Sequence, residues 1–159
     1  MDLLLRGIDN LNKVIKILVS IFIAIMAIVM ILQVFSRFIF DLPLNWSEEL
    51  ARYLSIYAVF FGAAIALRYQ QLIAVEALVD RVPETPRKIL RIIVLVICIV
   101  FFALLFVKGI DMVERVNTQK SPAMQIPMSI PYAAVPIGAV LLIMNSLAVI
   151  IENVKGENK

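Results

Sequence analysis

Residues 17–32 read ILVSIFIAIMAIVMIL, an apolar run broken only by Ser20. Three more runs follow: Leu54–Leu67, Ile92–Val107 and Tyr132–Ile151, the last carrying Asn145 and Ser146. A bilayer core about 30 Å thick takes roughly 20 helical residues to cross. The second run has 14 residues, which at about 1.5 Å each reach only about 21 Å. It therefore recruits Trp46–Tyr53 before it and reaches about Tyr69. Spans are expected near 14–36, 46–69, 88–110 and 131–152. They use most of the 159 residues, of which 62% are hydrophobic and 17% charged. A soluble domain of that composition would expose too much apolar surface. The expectation is an all-α integral membrane four-helix bundle, one domain over 1–159.

The basic residues set the expected orientation. Arg6, Lys13 and Lys16 precede the first span. Arg68, Arg81, Arg87, Lys88 and Arg91 flank the connection between spans two and three, and Lys155 and Lys159 follow the fourth. Those ten stand against five on the other side: Arg37, Arg52, Lys108, Arg115 and Lys120. The positive-inside rule places both termini and the middle loop in the cytoplasm. The first apolar run is too long for a signal-peptide core and lacks a small-residue cleavage site, so the chain is expected to start at or near Met1. There is no histidine, and Cys98 is the only cysteine. That removes the commonest metal ligand and an internal disulfide. No cofactor and no metal is expected.

The flanks carry weaker signals. Leu4, Ile8, Leu11 and Ile15 recur at helical spacing among polar residues. This fits either a short interfacial helix over 2–16 or the solvated start of span one. Leu72, Val75, Leu78, Val79 and Val82 suggest a second interfacial helix in the middle loop, ended by Pro83 and Pro86. Asn45 and Glu48 have the spacing of a capping box. Lys108–Asn117 can prolong span three as helix. Pro122, Pro127 and Pro131 then favour an extended path, and Pro136 falls in the first turns of span four, where a kink is tolerable.

Two groups of residues invite a functional reading. Ala51, Ser55, Ala58, Gly62 and Ala66 share one face of span two, where small side chains permit close helix approach within the bundle or to a partner. Arg37, Glu48, Glu49 and Arg52 cluster at the outer boundary, with Trp46 at headgroup level. Glu48 and Arg52 stand four apart and are expected to pair, bracing the first helix hairpin or contacting a partner. Midplane charge, broken helices and an inverted repeat, the marks of a complete transporter, are not seen in the sequence. Asn145 and Ser146 are expected to be satisfied by water or a neighbouring helix.

These residues carry a resemblance. Arg37-Phe38, then Pro43-Leu44-Asn45-Trp46-Ser47-Glu48-Glu49-Leu50-Ala51-Arg52, resembles the small membrane subunit of tripartite ATP-independent periplasmic (TRAP) transporters, the DctQ-like family. Gly62-Ala63-Ala64-Ile65-Ala66-Leu67-Arg68 and Ile73-Ala74-Val75-Glu76 are similar to two shorter family stretches. Gln71 stands near a position where relatives often have histidine. The resemblance implies a subunit without an active site that widens the scaffold of a large multi-span permease. It also implies a periplasmic substrate-binding protein, sodium symport and an organic acid such as sialic acid or a C4-dicarboxylate. Arg37, Trp46, Glu48, Glu49, Arg52, Gly62 and Arg68 are the structural or partner-interface candidates. Two other readings stay open: a small assembly or chaperone-like membrane protein, and a membrane enzyme acting on lipid headgroups. The enzyme would need catalytic side chains that a chain without histidine and with few loop acids hardly supplies.

Overall fold

A computed structural model of the chain describes residues 2–39, 44–69 and 84–155, with side chains over 5–39, 44–69 and 90–153. The described residues form α1 (Asp2–Ile39), α2 (Asn45–Arg68), α3 (Glu84–Val116), a single turn α4 (Ser129–Tyr132) and α5 (Ala134–Lys155). Among the described residues four stretches are long and apolar enough to cross a membrane: Leu5–Ile39, Asn45–Arg68, Leu90–Val116 and Ser129–Asn153. The fold is all-α with four membrane-spanning helices, and the chain is a membrane protein. The last span contains the break between α4 and α5 at Ala133. Pro136 three residues on has no N–H to donate back to that turn, yet the Ala133 N–H still donates to the Ser129 carbonyl at 2.9 Å and the Ile137 N–H to the Ala133 carbonyl at 3.2 Å.

The bundle is laid out as an open row. α1 packs on α2, α2 on α5, and α5 on α3, while α1 and α3 do not meet among the described residues. α5 is the most buried span and α1 and α3 the least. Association of helices in lipid rests on packing, because lipid tails are as apolar as leucine. α5 accordingly turns small residues inward: Ala134, Ala139 and Ala148 are fully buried. A Cβ added at Gly138 would sit 2.6 Å from the Phe60 Cβ, and one at Gly109 would sit 2.9 Å from the Pro136 Cδ. These glycines set how near α2 and α3 come to α5. Phe22, Tyr57 and Phe61 fill the α1–α2 seam, with Tyr57 and Phe61 edge-to-face at 5.6 Å between centroids. The edge helices leave Ile17, Ile21, Ile28, Val100, Phe101 and Leu104 exposed.

Three expectations need revision. Residues 2–16 are not a separate interfacial helix; their described part is the first turns of α1. Asp9 and Asn12 reach α2 and α5 from this segment, while Arg6, Asn10, Lys13 and Lys16 stay exposed. The small-residue face of α2 is buried at Ala51 but open at Gly62, where an added Cβ would meet nothing within 4 Å. Asn45 does not cap α2. The cap position is Leu44, without a side-chain cap bond, because Asn45 already lies inside the first turn. The middle-loop helix expected over 72–82 lies outside the described residues.

Beyond Val116 the connection is compact as well as extended. Lys120 and Pro127 form an isolated antiparallel bridge. The Ser121 N–H donates to the Ile126 carbonyl at 2.8 Å, and the Met128 N–H to the Gln119 carbonyl at 2.9 Å. Gln125 takes a positive φ of 56°, a left-handed conformation that turns the chain back on itself.

Candidate functional site

Polar side chains gather at the two ends of the bundle. At the end carrying both chain termini, Arg68 closes α2. Its guanidinium binds Glu152 of α5 through two parallel bonds of 2.6 Å each. It also donates through Nε to Asp9 of α1 at 2.9 Å. The side chains of Arg68 and Glu152 are 3% and 6% exposed. A planar five-donor fork suits such bidentate pairing. One residue thus ties three helices. One helical turn deeper, Asn12 and Asn145 exchange amide bonds at 2.7 and 3.0 Å, and Asn145 Nδ2 also donates to the Ala64 carbonyl at 2.7 Å. Asn12 and Asn145 are both 2% exposed, and neighbouring helices satisfy Asn145. Ser146 donates to the Leu142 carbonyl of its own helix.

At the hairpin end, Glu49 is the organising side chain. Its carboxylate accepts from the Ala123 and Met124 N–H groups at 3.1 and 2.7 Å and from the Tyr53 hydroxyl at 2.6 Å. The bridge at Lys120–Pro127 leaves those two N–H groups at the tip of the connection, where an acceptor from α2 can take them. Tyr57 donates to the Ile130 carbonyl at 2.6 Å, so a second α2 residue holds the approach to α5.

The other candidates behave differently from the paired cluster expected. Glu48 accepts from Gln33 of α1 at 2.8 Å and is not within ion-pair distance of Arg52. Gln33 is the nearer partner, so the α1–α2 brace is a neutral-donor bond to the carboxylate. Arg37 and Arg52 are exposed, and neither has an ion-pair partner among the described residues. Trp46 is 41% exposed. With Glu48, Arg52, Tyr53, Pro122 and Tyr132 it lines an open groove of about 860 Å³ between α2 and the connection. Among the described residues no group of three His, Cys, Asp or Glu side chains could hold a metal ion.

Asp9, Asn12, Tyr53, Tyr57, Asn145 and Glu152 form most of these contacts, yet none was singled out as a site residue from the sequence. Asp9, Asn12 and Glu152 look like ordinary solvated flanks there. Only Asn145, polar within an apolar run, gave a signal.

The comparison with known families settles what this arrangement belongs to. Residues 10–156 match the model of the tripartite ATP-independent periplasmic transporters, DctQ component. The chain belongs to the DctQ family. Within that family, it is 26% identical over 147 residues to the sialic acid TRAP transporter small permease protein SiaQ of Vibrio cholerae, covering 92% of this chain and 83% of that one. It is 32% identical over 123 residues to the sialic acid TRAP transporter permease protein SiaT of Haemophilus influenzae, covering 77% of this chain but 20% of SiaT. It is 31% identical over 104 residues to the isethionate TRAP transporter permease protein DctMQ of Oleidesulfovibrio alaskensis, covering 64% of this chain and 16% of that one. The DctQ-like chain thus corresponds to a small part of those two longer permeases. Its general role is that of a TRAP transporter small permease.

Proposed function

We propose that this subunit serves as a static scaffold for a large multi-span permease, with a periplasmic substrate-binding protein delivering a small organic anion for sodium-coupled uptake. It carries out no chemistry itself. It sits in the bacterial inner membrane with both termini in the cytoplasm, as the charge bias favours. The observation that carries this reading is where the polar groups go. Arg68, Glu152, Asn12 and Asn145 are consumed by one another between helices, and Glu49 by the outer connection. Helices so tied suit a brace better than a moving carrier. Two edge helices with exposed apolar faces suit contact with lipid on one side and a large membrane protein on another.

The substrate class follows from relatives whose names specify sialic acid and isethionate, both anionic. Sialic acid or a C4-dicarboxylate remains the proposed cargo. The test is reconstitution of this subunit with the large permease and the binding protein in proteoliposomes. Uptake should require all three and a sodium gradient. Arg37→Glu should lower co-purification of the large permease and uptake together. Normal assembly with uptake lost would make Arg37 a docking or gating residue. Uptake by the large permease and binding protein without this subunit would overturn the scaffold role.

A further inference from the structure

We propose that the seam between α3 and α5, at the end carrying the chain termini, binds the headgroup phosphate of an anionic phospholipid. The proposal needs only that the chain lies in a membrane, and so is independent of the transporter reading. It starts from Asn153, which is 4% exposed. Its Oδ1 accepts a long bond of 3.5 Å from Arg91 Nη1. Its Nδ2 is buried and has no acceptor among the described residues. Buried polar groups in folded proteins are nearly always partnered, and an orphaned donor is costly. Flipping the amide would turn an N–H₂ toward the guanidinium, so the donor is the atom left over.

Arg91 stands beside it with an equally incomplete set of partners. Apart from that one long bond, no carboxylate lies within ion-pair distance of Arg91 among the described residues. The adjacent Glu152 has both oxygens occupied by Arg68. Among the described residues the seam therefore offers a cation and a buried donor but no free carboxylate, the complement of an anionic oxygen. A phosphate matches a guanidinium fork in shape and charge.

The surroundings favour a lipid as its source over free phosphate. Arg91 lies at the start of the Leu90–Val116 span, at headgroup depth. Ile93, Ile97, Val100 and Leu104 are exposed on the face of α3 turned away from Arg91, so α3 meets lipid directly beside the seam. Arg87, Lys88 and Lys155 flank the two helix ends in sequence. Basic pockets between spans on the cytoplasmic side are a known mode of anionic headgroup binding.

The experiment uses the purified full chain in detergent, with dioleoyl phosphatidylglycerol, dioleoyl phosphatidylcholine or inorganic phosphate added. Native mass spectrometry counts retained lipid and thermal unfolding reports stability. One phosphatidylglycerol should be retained at least fivefold over phosphatidylcholine. Asn153→Leu and Arg91→Gln should each lower that retention at least fivefold, while Arg52→Gln at the far end should not. Asn153→Leu should melt no lower than wild type without lipid, because it deletes an orphaned donor. If Asn153→Leu does not fold, Arg91→Gln decides alone. Equal retention of the two lipids, an equal stabilisation by inorganic phosphate, or unchanged retention in Arg91→Gln would overturn the proposal. So would an effect of both variants confined to co-purification of the large permease, which would assign the seam to a partner's carboxylate.

Discussion

Arg68 carries more of the tertiary structure than any other side chain described. Its two bonds to Glu152 and its contact with Asp9 join α2 to α5 and α1. Removing one partner from a buried ion pair leaves an uncompensated charge and typically costs about 3–5 kcal/mol. Arg68→Ala should therefore unfold or aggregate the chain on extraction, read as lost monomer in size-exclusion chromatography. Asn145→Ala should be milder. Polar contacts between membrane helices average about 0.6 kcal/mol and reach about 1.7. Asn145 makes three of them, so a loss of about 1–2 kcal/mol in a thermal or denaturant titration is expected. Transport coupling in the reconstituted complex should persist in that variant, since the residue is closed off between helices. An altered sodium dependence would show that this subunit shares an ion site.

At the scale of elements, Glu49 fixes the outer connection and Gly138 fixes a helix distance. Glu49 pins the outer connection to α2 through the Ala123 and Met124 N–H groups. Glu49→Ala should speed amide exchange at those two residues by tenfold or more and raise protease cleavage within 119–128. Glu48→Ala, losing one exposed bond to Gln33, should leave both unchanged. Gly138 and Gly62 make the complementary pair. Gly138→Ala forces Phe60 aside, and overpacking of this kind costs about 1–3 kcal/mol. Gly62→Ala has open space and should leave the melting temperature of the isolated subunit unchanged. If Gly62 faces the large permease, Gly62→Leu will lower co-purification while the subunit alone stays folded.

The whole molecule is a row of four spans with α5 inside and α1 and α3 at the edges. An even number of spans returns the chain to its starting side, so the termini share one face of the membrane. The basic residues favour the cytoplasm for that face. Cysteines introduced at Gln119 and Asn158, with Cys98 replaced by serine, report it directly. An impermeant thiol reagent added to intact cells should label Gln119→Cys and spare Asn158→Cys. The reverse pattern would invert the topology.

What the sequence determined by itself was the number, place and class of the spans, because lipid admits only helices or closed barrels and long uninterrupted apolar runs select the helix. The WSEELAR stretch and its flanks also marked the family. Which polar residues do the joining was decided only by tertiary structure. Glu48 and Arg52 have helical spacing for a pair, but Gln33 on another helix claims Glu48, and Glu49 turns to a connection more than seventy residues away. Asp9, Asn12 and Glu152 sit in flanks that periodicity treats as solvated; Asn12 and Glu152 become buried and Asp9 partly covered only because three helix ends converge on Arg68 and Asn145. Small residues were legible as a packing signal, yet Gly62 points to open space and Gly109 and Gly138 to neighbours. A stripe fixes which face is small. Which face meets a neighbour depends on the order of the helices, and the order α1–α2–α5–α3 is set by long-range contacts that no local pattern encodes.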